Sequence, residues 1–264
     1  MARVVWKGAI AFGLVNIPVR LYTAVHARNV QFHMMSPDGR CRLRRKLWCP
    51  ETGEEFEYAQ ATRAVEVAPD RYVPIDPEEV ARLRPEKGHT VEIEDFVELS
   101  GIDPVYYARP YYVGPGEGGA RAYRLLVRAM ETSNRVGIGR FVMREKQYLA
   151  AIRPSEGGLV LETMNWHDEV AAMPEVVDLP TDDVDERQLE LATDLIDRLT
   201  RPFDASRYRD TFREQLEELI AKKAAGEGLP PAPEPERPAE VPDLTEALRQ
   251  SLAQRNPKKK LEKA

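Results

Sequence analysis

The sequence is poor in the residues that metal sites and disulfide frameworks need. It has two cysteines, Cys41 and Cys49, and four scattered histidines, His26, His33, His89 and His167, in 264 residues. A structural zinc site takes four such ligands at close spacing, so no metal is expected. No run approaches eighteen apolar residues, which excludes a membrane-spanning helix on length alone. The opening residues enter a strand pattern without an apolar signal core, so a cytoplasmic chain with free thiols is expected. Signatures of catalysis are also missing: there is no Gly-x-Ser-x-Gly and no His-Glu-x-x-His, and Gly114-Pro115-Gly116-Glu117-Gly118-Gly119 lacks the lysine of a phosphate loop. No catalytic residue and no cofactor are assigned.

What is present is charge, distributed in blocks. The net charge is −6, which by itself disfavours a polyanionic partner. Residues 1–50, however, hold nine Lys or Arg against one Asp, and residues 101–160 hold nine against five. The acids concentrate in 51–100, with fourteen, and in 161–200, with twelve. Charges are screened within about 8 Å at physiological salt, so local sign outweighs the total. A basic surface on an otherwise acidic protein suits a binder that must not adhere to every polyanion. Ordinary solvated faces would give blocks too.

Residues Trp6 to Tyr22 carry the clearest pattern. Trp6, Ile10, Phe12 and Leu14 alternate with Lys7, Ala9, Ala11 and Gly13, the period of a strand with one buried face. Past Gly13 the phase flips to Ile17, Val19 and Leu21, so a bulge or tight turn is expected at Gly13 to Asn16. Pro18 cannot donate to a ladder and marks an edge or irregularity. Strands are expected as far as about Ile75. Asp76-Pro77-Glu78-Glu79 then opens a short helix through Leu83. Val91, Ile93 and Phe96 suggest a strand, Ala120–Thr132 a helix with Tyr123, Leu126, Val127 and Met130 on one face, 135–153 a hairpin and 158–164 a last strand. Many short strands with few helices predict a β-barrel core.

Composition changes near Pro180. One amphipathic helix is expected from Asp183 to about Thr200, with Leu189, Ala192, Ile196 and Leu199 as its stripe. A second, capped by Ser206, carries Tyr208, Phe212, Leu216, Leu219 and Ile220. Such helices need a surface to bury against, on the barrel or on a partner chain. Prolines at 230, 231, 233, 235, 238 and 242 read as an extended linker. Beyond it Leu244, Leu248 and Leu252 form a stripe too short to fold alone, expected to fold on a partner. The tail ends with Lys258, Lys259, Lys260 and Lys263.

The stretch from Arg40 to Trp48 is the main candidate for chemistry. On a strand, Arg40, Arg42, Arg44 and Lys46 share one face, and Cys41, Leu43, Arg45 and Leu47 take the other. Same-face residues stand about 6.6–6.8 Å apart, against about 3.4 Å between phosphates of one DNA strand, so a cationic strand could meet every second phosphate. An exposed strand blunted by charge against edge pairing fits the same pattern.

Residues 6–22, PDGRCRLRRKLWCP at 37–50, IEDFVEL at 93–99, IDPVYYARPYYVGP at 102–115 and RYRDTFREQLEELI at 207–220 together resemble, in order, the bacterial Ku protein of non-homologous end joining. The resemblance covers roughly residues 3 to 225. It implies a homodimeric ring threaded by an end of double-stranded DNA, with recruitment of an ATP-dependent multifunctional repair ligase of the ligase D type. It places the Arg40–Trp48 segment in the strand arching over DNA and turns the hairpin tip, with Arg144 and Lys146, to the channel. Members of the family often carry Cys-x-x-Cys near residue 49; here Thr52 stands where the second cysteine would be.

The resulting expectation is an α+β, β-rich chain. A β-barrel core at 1–180 includes a ring-forming, DNA-encircling bridge at about 28–66. A helical arm follows at 181–225, and a flexible Pro-rich, basic tail at 226–264. The expected DNA-binding residues are Arg3, Lys7, Arg20, Arg40, Arg42, Arg44, Arg45, Lys46, Arg144, Lys146, Lys258, Lys259, Lys260 and Lys263. Leu244, Leu248 and Leu252 are the expected partner-binding residues. The expected setting is cytoplasmic and nucleoid-associated, with no membrane. The alternatives are a sequence-specific transcriptional regulator, disfavoured by acidic helices at 183–225, and, less favoured, a nucleic-acid-processing enzyme.

Overall fold

A computed structural model of the chain describes residues 3–83, 89–144, 146–226 and 243–254. Strands β1 (Val4–Phe12) and β2 (Val15–Thr23) form the opening hairpin. The phase flip is a two-residue turn: Phe12 pairs with Val15, Gly13 has φ +55°, and Leu14 is wholly exposed. Trp6 and Ile10 therefore share the interior with Ile17, Val19 and Leu21. Gly8 sits between Trp6 and Ile10, and the Trp6 ring fills the place of its side chain. A Cβ there would stand 2.3 Å from the ring and 2.1 Å from the His89 carbonyl oxygen.

From residue 25 to residue 75 no side chain is buried. This extension contains two small hairpins, β3 (Leu47–Trp48) with β4 (Glu55–Phe56) and β5 (Ala64–Ala68) with β6 (Arg71–Pro74). The expected strand through Arg40–Lys46 does not form. Pro37-Asp38-Gly39 turns the chain, Gly39 takes φ +70°, and a single bridge, Met35 to Arg42, is the only pairing found there. Residues 34–36 lie alongside 41–43, where the Ser36 N–H donates to the Cys41 carbonyl and the Leu43 N–H to the Met34 carbonyl, but the pairing does not extend further into a ladder. Leu43 and Leu47 are consequently exposed, not buried behind a cationic face.

Helix α1 (Pro77–Arg82) follows as expected, with Asp76 and Glu79 forming a reciprocal capping box. Then come β7 (Thr90–Val97), β8 (Tyr107–Pro115), α2 (Ala120–Ser133), β9 (Val136–Met143), β10 (Lys146–Ser155), β11 (Gly158–Met164) and the single-turn α3 (Met173–Val176). Seven strands close a barrel in the order β1-β2-β8-β11-β10-β9-β7, with β7 returning to β1 in parallel. Closure removes both sheet edges. Pro18 is tolerated because β2 pairs with β8 only from Val19 onward.

The core contains Ile10, Leu21, Val91, Phe141, Ile152 and Leu161, and Trp6 meets Phe141 edge to face at 5.6 Å. Tyr123, Leu126, Val127 and Met130 are buried from α2, the face that periodicity indicates. The Tyr123 hydroxyl donates to the Val113 carbonyl at 2.6 Å and accepts from the Leu159 N–H at 2.9 Å, which pins α2 to β8 and β11.

A second compact unit comprises residues 29–31 and the described residues from 177 onward. It holds α4 (Glu186–Leu199), α5 (Thr211–Ala224) and α6 (Leu244–Gln254). Asp185 caps α4, two residues later than expected, and Asp210, not Ser206, caps α5. Ser206 lies instead in a one-turn 3₁₀ segment, where Asp204 accepts its N–H and hydroxyl.

Candidate nucleic-acid interface

The candidate cations divide by whether a carboxylate already holds them. On the barrel, Lys7 of β1 lies directly opposite Arg20 of β2 in the antiparallel register. Facing side chains in such a pair have Cβ atoms about 4.5–5.5 Å apart, and like charges there are destabilising. Among the described residues neither cation has a carboxylate within 4.0 Å, nor does Arg3. Two facing cations without a counter-charge form a local anion-attracting point on the barrel wall.

On the extension, Arg42, Arg44 and Arg45 are exposed and likewise unpaired among the described residues. Arg40 and Lys46 differ. Arg40 has Asp38 at 4.0 Å, and Lys46 donates to Glu55 at 2.6 Å across the β3–β4 hairpin. Both pairs are largely solvated, and such pairs hold little energy, so phosphate can still compete for these cations. At the β9–β10 tip Arg144 is exposed with φ +51°. Lys146 stands 5.5 Å over the Tyr148 ring and 3.9 Å from Glu169.

Three other barrel cations are held by carboxylates. Arg135 donates to Glu98 at 2.6 Å, Arg140 to Glu94 at 2.6 Å, and Arg153 to Glu162 at 2.9 Å. Hydrogen bonding to Glu94 pushes the Arg140 guanidinium further toward its charged form. Lys258, Lys259, Lys260 and Lys263 lie outside the described residues.

The cysteine turn has a definite chemistry. Gly53 N–H donates to the Cys49 carbonyl, and Cys49 N–H to the Glu54 carbonyl. The Thr52 N–H, then its hydroxyl, then the Glu51 N–H stabilise the Cys49 thiolate and lower its pKa. Donors that could steady a metal-bound sulfur therefore surround a lone thiol. No group of three or more His, Cys, Asp or Glu is placed to hold a metal among the described residues.

Sequence reasoning missed the Lys7–Arg20 opposition, although its signal was available. With the turn fixed at Gly13-Leu14, residues equidistant from it pair, which sets seven against twenty. It missed the ion pairs of Arg40 and Lys46 because both depend on where chain turns bring the acids.

Fold and surface together define a class: a closed β-barrel bearing an uncovered extension with a cationic stretch at 40–46. Residues 11–191 match the Ku family by its Ku70/Ku80 beta-barrel domain. The chain is similar to "Non-homologous end joining protein Ku" of Anaeromyxobacter sp. (strain K), 43% identical over 96% of this chain and 86% of that protein. It is 41% identical to the protein of the same description from Symbiobacterium thermophilum, over 95% of this chain and 62% of the relative, and 39% identical to that of Desulfitobacterium hafniense, over 97% and 89%. The chain belongs to the Ku family.

Proposed function

We propose that this chain binds ends of double-stranded DNA without reading sequence, in non-homologous end joining. The carrying observation is a group of cations without carboxylate partners among the described residues: Arg42, Arg44 and Arg45, exposed on an extension with no core of its own, and Lys7 and Arg20, facing each other on the barrel. Such groups meet phosphates, and phosphate contacts position a protein without carrying base information. The relatives' shared description as end-joining proteins supports the same reading.

The binding unit is a homodimer whose two extensions close a ring, two-fold symmetry being the commonest arrangement. Large apolar surfaces support a second copy. Phe12, Val15, Ile17, Phe96, Leu125 and Leu126 line an open groove of about 610 Å³ on the barrel unit. Phe203, Tyr208 and Phe212 of the helical unit are exposed as well. The protein acts by binding, protecting ends and recruiting and stimulating an ATP-dependent multifunctional ligase of the ligase D type, without catalysis of its own. Its place is the nucleoid. Lys258, Lys259, Lys260 and Lys263 touch flanking DNA.

A mobility-shift comparison tests this. Linear duplexes of a few tens of base pairs should bind tightly, and binding should vanish when bulky hairpins block both ends. Equal affinity for a covalently closed circle would remove threading from the account.

A further inference from the structure

The leucine stripe of the tail is not free. Helix α6 packs on α4, and the Gln188 side-chain amide donates to the Thr245 hydroxyl at 3.1 Å. Burial follows the packing on both helices. On α4 the half-buried residues are Gln188, Leu191, Ala192 and Leu195, a spacing of i, i+3, i+4 and i+7 that makes one helical face. On α6 they are Thr245, Ala247, Leu248 and Leu252. Of the stripe expected from sequence, Leu189, Ala192, Ile196 and Leu199, only Ala192 belongs to this face; Leu189, Ile196 and Leu199 are exposed, and so is Leu244.

An eleven-residue helix has little stability alone. Residues 227–242, sixteen in all, tie α6 to the same unit, and tethering of this kind gives effective concentrations in the millimolar range. A modest attraction is then enough to keep the helix seated.

We infer that the Gln188/Leu191/Ala192/Leu195 face of α4 is a docking surface whose occupant is the chain's own C-terminal helix, and that a partner ligase competes with α4 for Leu248 and Leu252. The tail is stored on the arm and released by exchange. The inference rests on the reading above that the chain recruits the ligase, with Leu248 and Leu252 of the tail taken as the residues that bind it, and its two halves are separable by experiment.

The test uses the full chain. Hydrogen exchange should show amides 246–254 slowed about tenfold or more relative to an unstructured peptide. Leu195→Glu on α4 and Leu248→Glu on α6 should each abolish that protection, with helicity of α4 and α5 checked in the same data. Gln188→Ala, a milder change that removes one neutral hydrogen bond, should reduce protection by about two- to tenfold. Affinity for the purified ligase D-type enzyme of the same organism should rise with Leu195→Glu and fall with Leu248→Glu. Unprotected amides in the unmodified chain, or protection indifferent to Leu195→Glu and Gln188→Ala, would overturn the docking. Protection that disappears on dilution of the protein would place α6 on a second copy and overturn the cis assignment. If Leu195→Glu frees α6 without raising ligase affinity while Leu248→Glu lowers it, competition is wrong but recruitment stands. If neither variant changes ligase affinity, the recruitment reading fails and docking alone remains.

Discussion

Lys7 and Arg20 face each other across the β1–β2 hairpin, with no carboxylate of the described residues within reach of either. The pairing follows from the turn at Gly13-Leu14, and it sets two like charges where a sheet gains by opposite ones. A folded protein gains nothing from such a pair unless an anion comes to it.

Lys7→Glu should therefore separate stability from binding. Converting a like pair to an opposite one should stabilise the fold by about 0.2–1 kcal/mol, read by chemical denaturation. DNA affinity should fall, and the slope of log K against log salt should decrease by about 0.9 for each phosphate that the protein no longer neutralises. Lys7→Gln should show the weaker binding with a smaller gain in stability.

The extension should behave as a purely electrostatic surface. Arg42→Ala with Arg44→Ala should weaken binding to all duplexes by a similar factor and reduce the salt slope by up to about 1.8. Stability should be nearly unchanged, because no residue between 25 and 75 is buried. Arg45→Ala should also leave stability unchanged, since the exposed Leu43 and Leu47 leave this segment without a buried face. Lys46→Ala should cost less binding than Arg44→Ala, because Lys46 must first leave Glu55; fluorescence titrations at several salt concentrations give the comparison.

Tyr123→Phe tests what holds α2 on the barrel. The change strands the Leu159 N–H and removes a donor to the Val113 carbonyl. Leaving such a group buried costs about 1–3 kcal/mol. The denaturation midpoint should drop accordingly, with end binding retained in the folded protein. Burial also raises the Tyr123 pKa, so the hydroxyl stays protonated, and keeps donating, well into alkaline solution.

The Cys49 thiol should react at lower pH than an ordinary cysteine thiol. Donors from Thr52 and Glu51 lower its pKa, so the nucleophilic thiolate persists to lower pH. The rate of alkylation of Cys49 by iodoacetamide, followed with mass spectrometry, should rise at lower pH than that of a cysteine in a short unstructured peptide. Thr52→Val removes the hydroxyl but keeps the N–H, the larger cause, so it should shift the profile upward only in part.

Gly8→Ala should be among the most damaging single changes. The new Cβ would meet the Trp6 ring and a backbone carbonyl that cannot retreat. Overpacking of this kind costs about 1–3 kcal/mol, measurable as a shift of the denaturation midpoint.

Local patterns determined much of this protein. Alternation in 4–23 specified the opening hairpin, Asp76-Pro77-Glu78-Glu79 specified a capped helix, and the spacing of Tyr123, Leu126, Val127 and Met130 specified the buried face of α2. Those signals are periodicities and caps, which neighbours along the chain generate by themselves. Strand β8 was harder to see: Pro110 and Pro115 argue against a central strand, yet it lies between β2 and β11 because both flanking strands supply partners for its other groups. The Arg40–Lys46 segment failed in the opposite sense, reading as a strand but folding back on 34–36 with a single bridge. Tertiary structure alone decided which cations keep a free charge, since Glu55 and Asp38 reach Lys46 and Arg40 only through turns. It also decided which side of α4 is covered. The sequence shows two apolar flanks on that helix, and only the arrival of α6, from more than forty residues away, makes Leu191 and Leu195 the inner one.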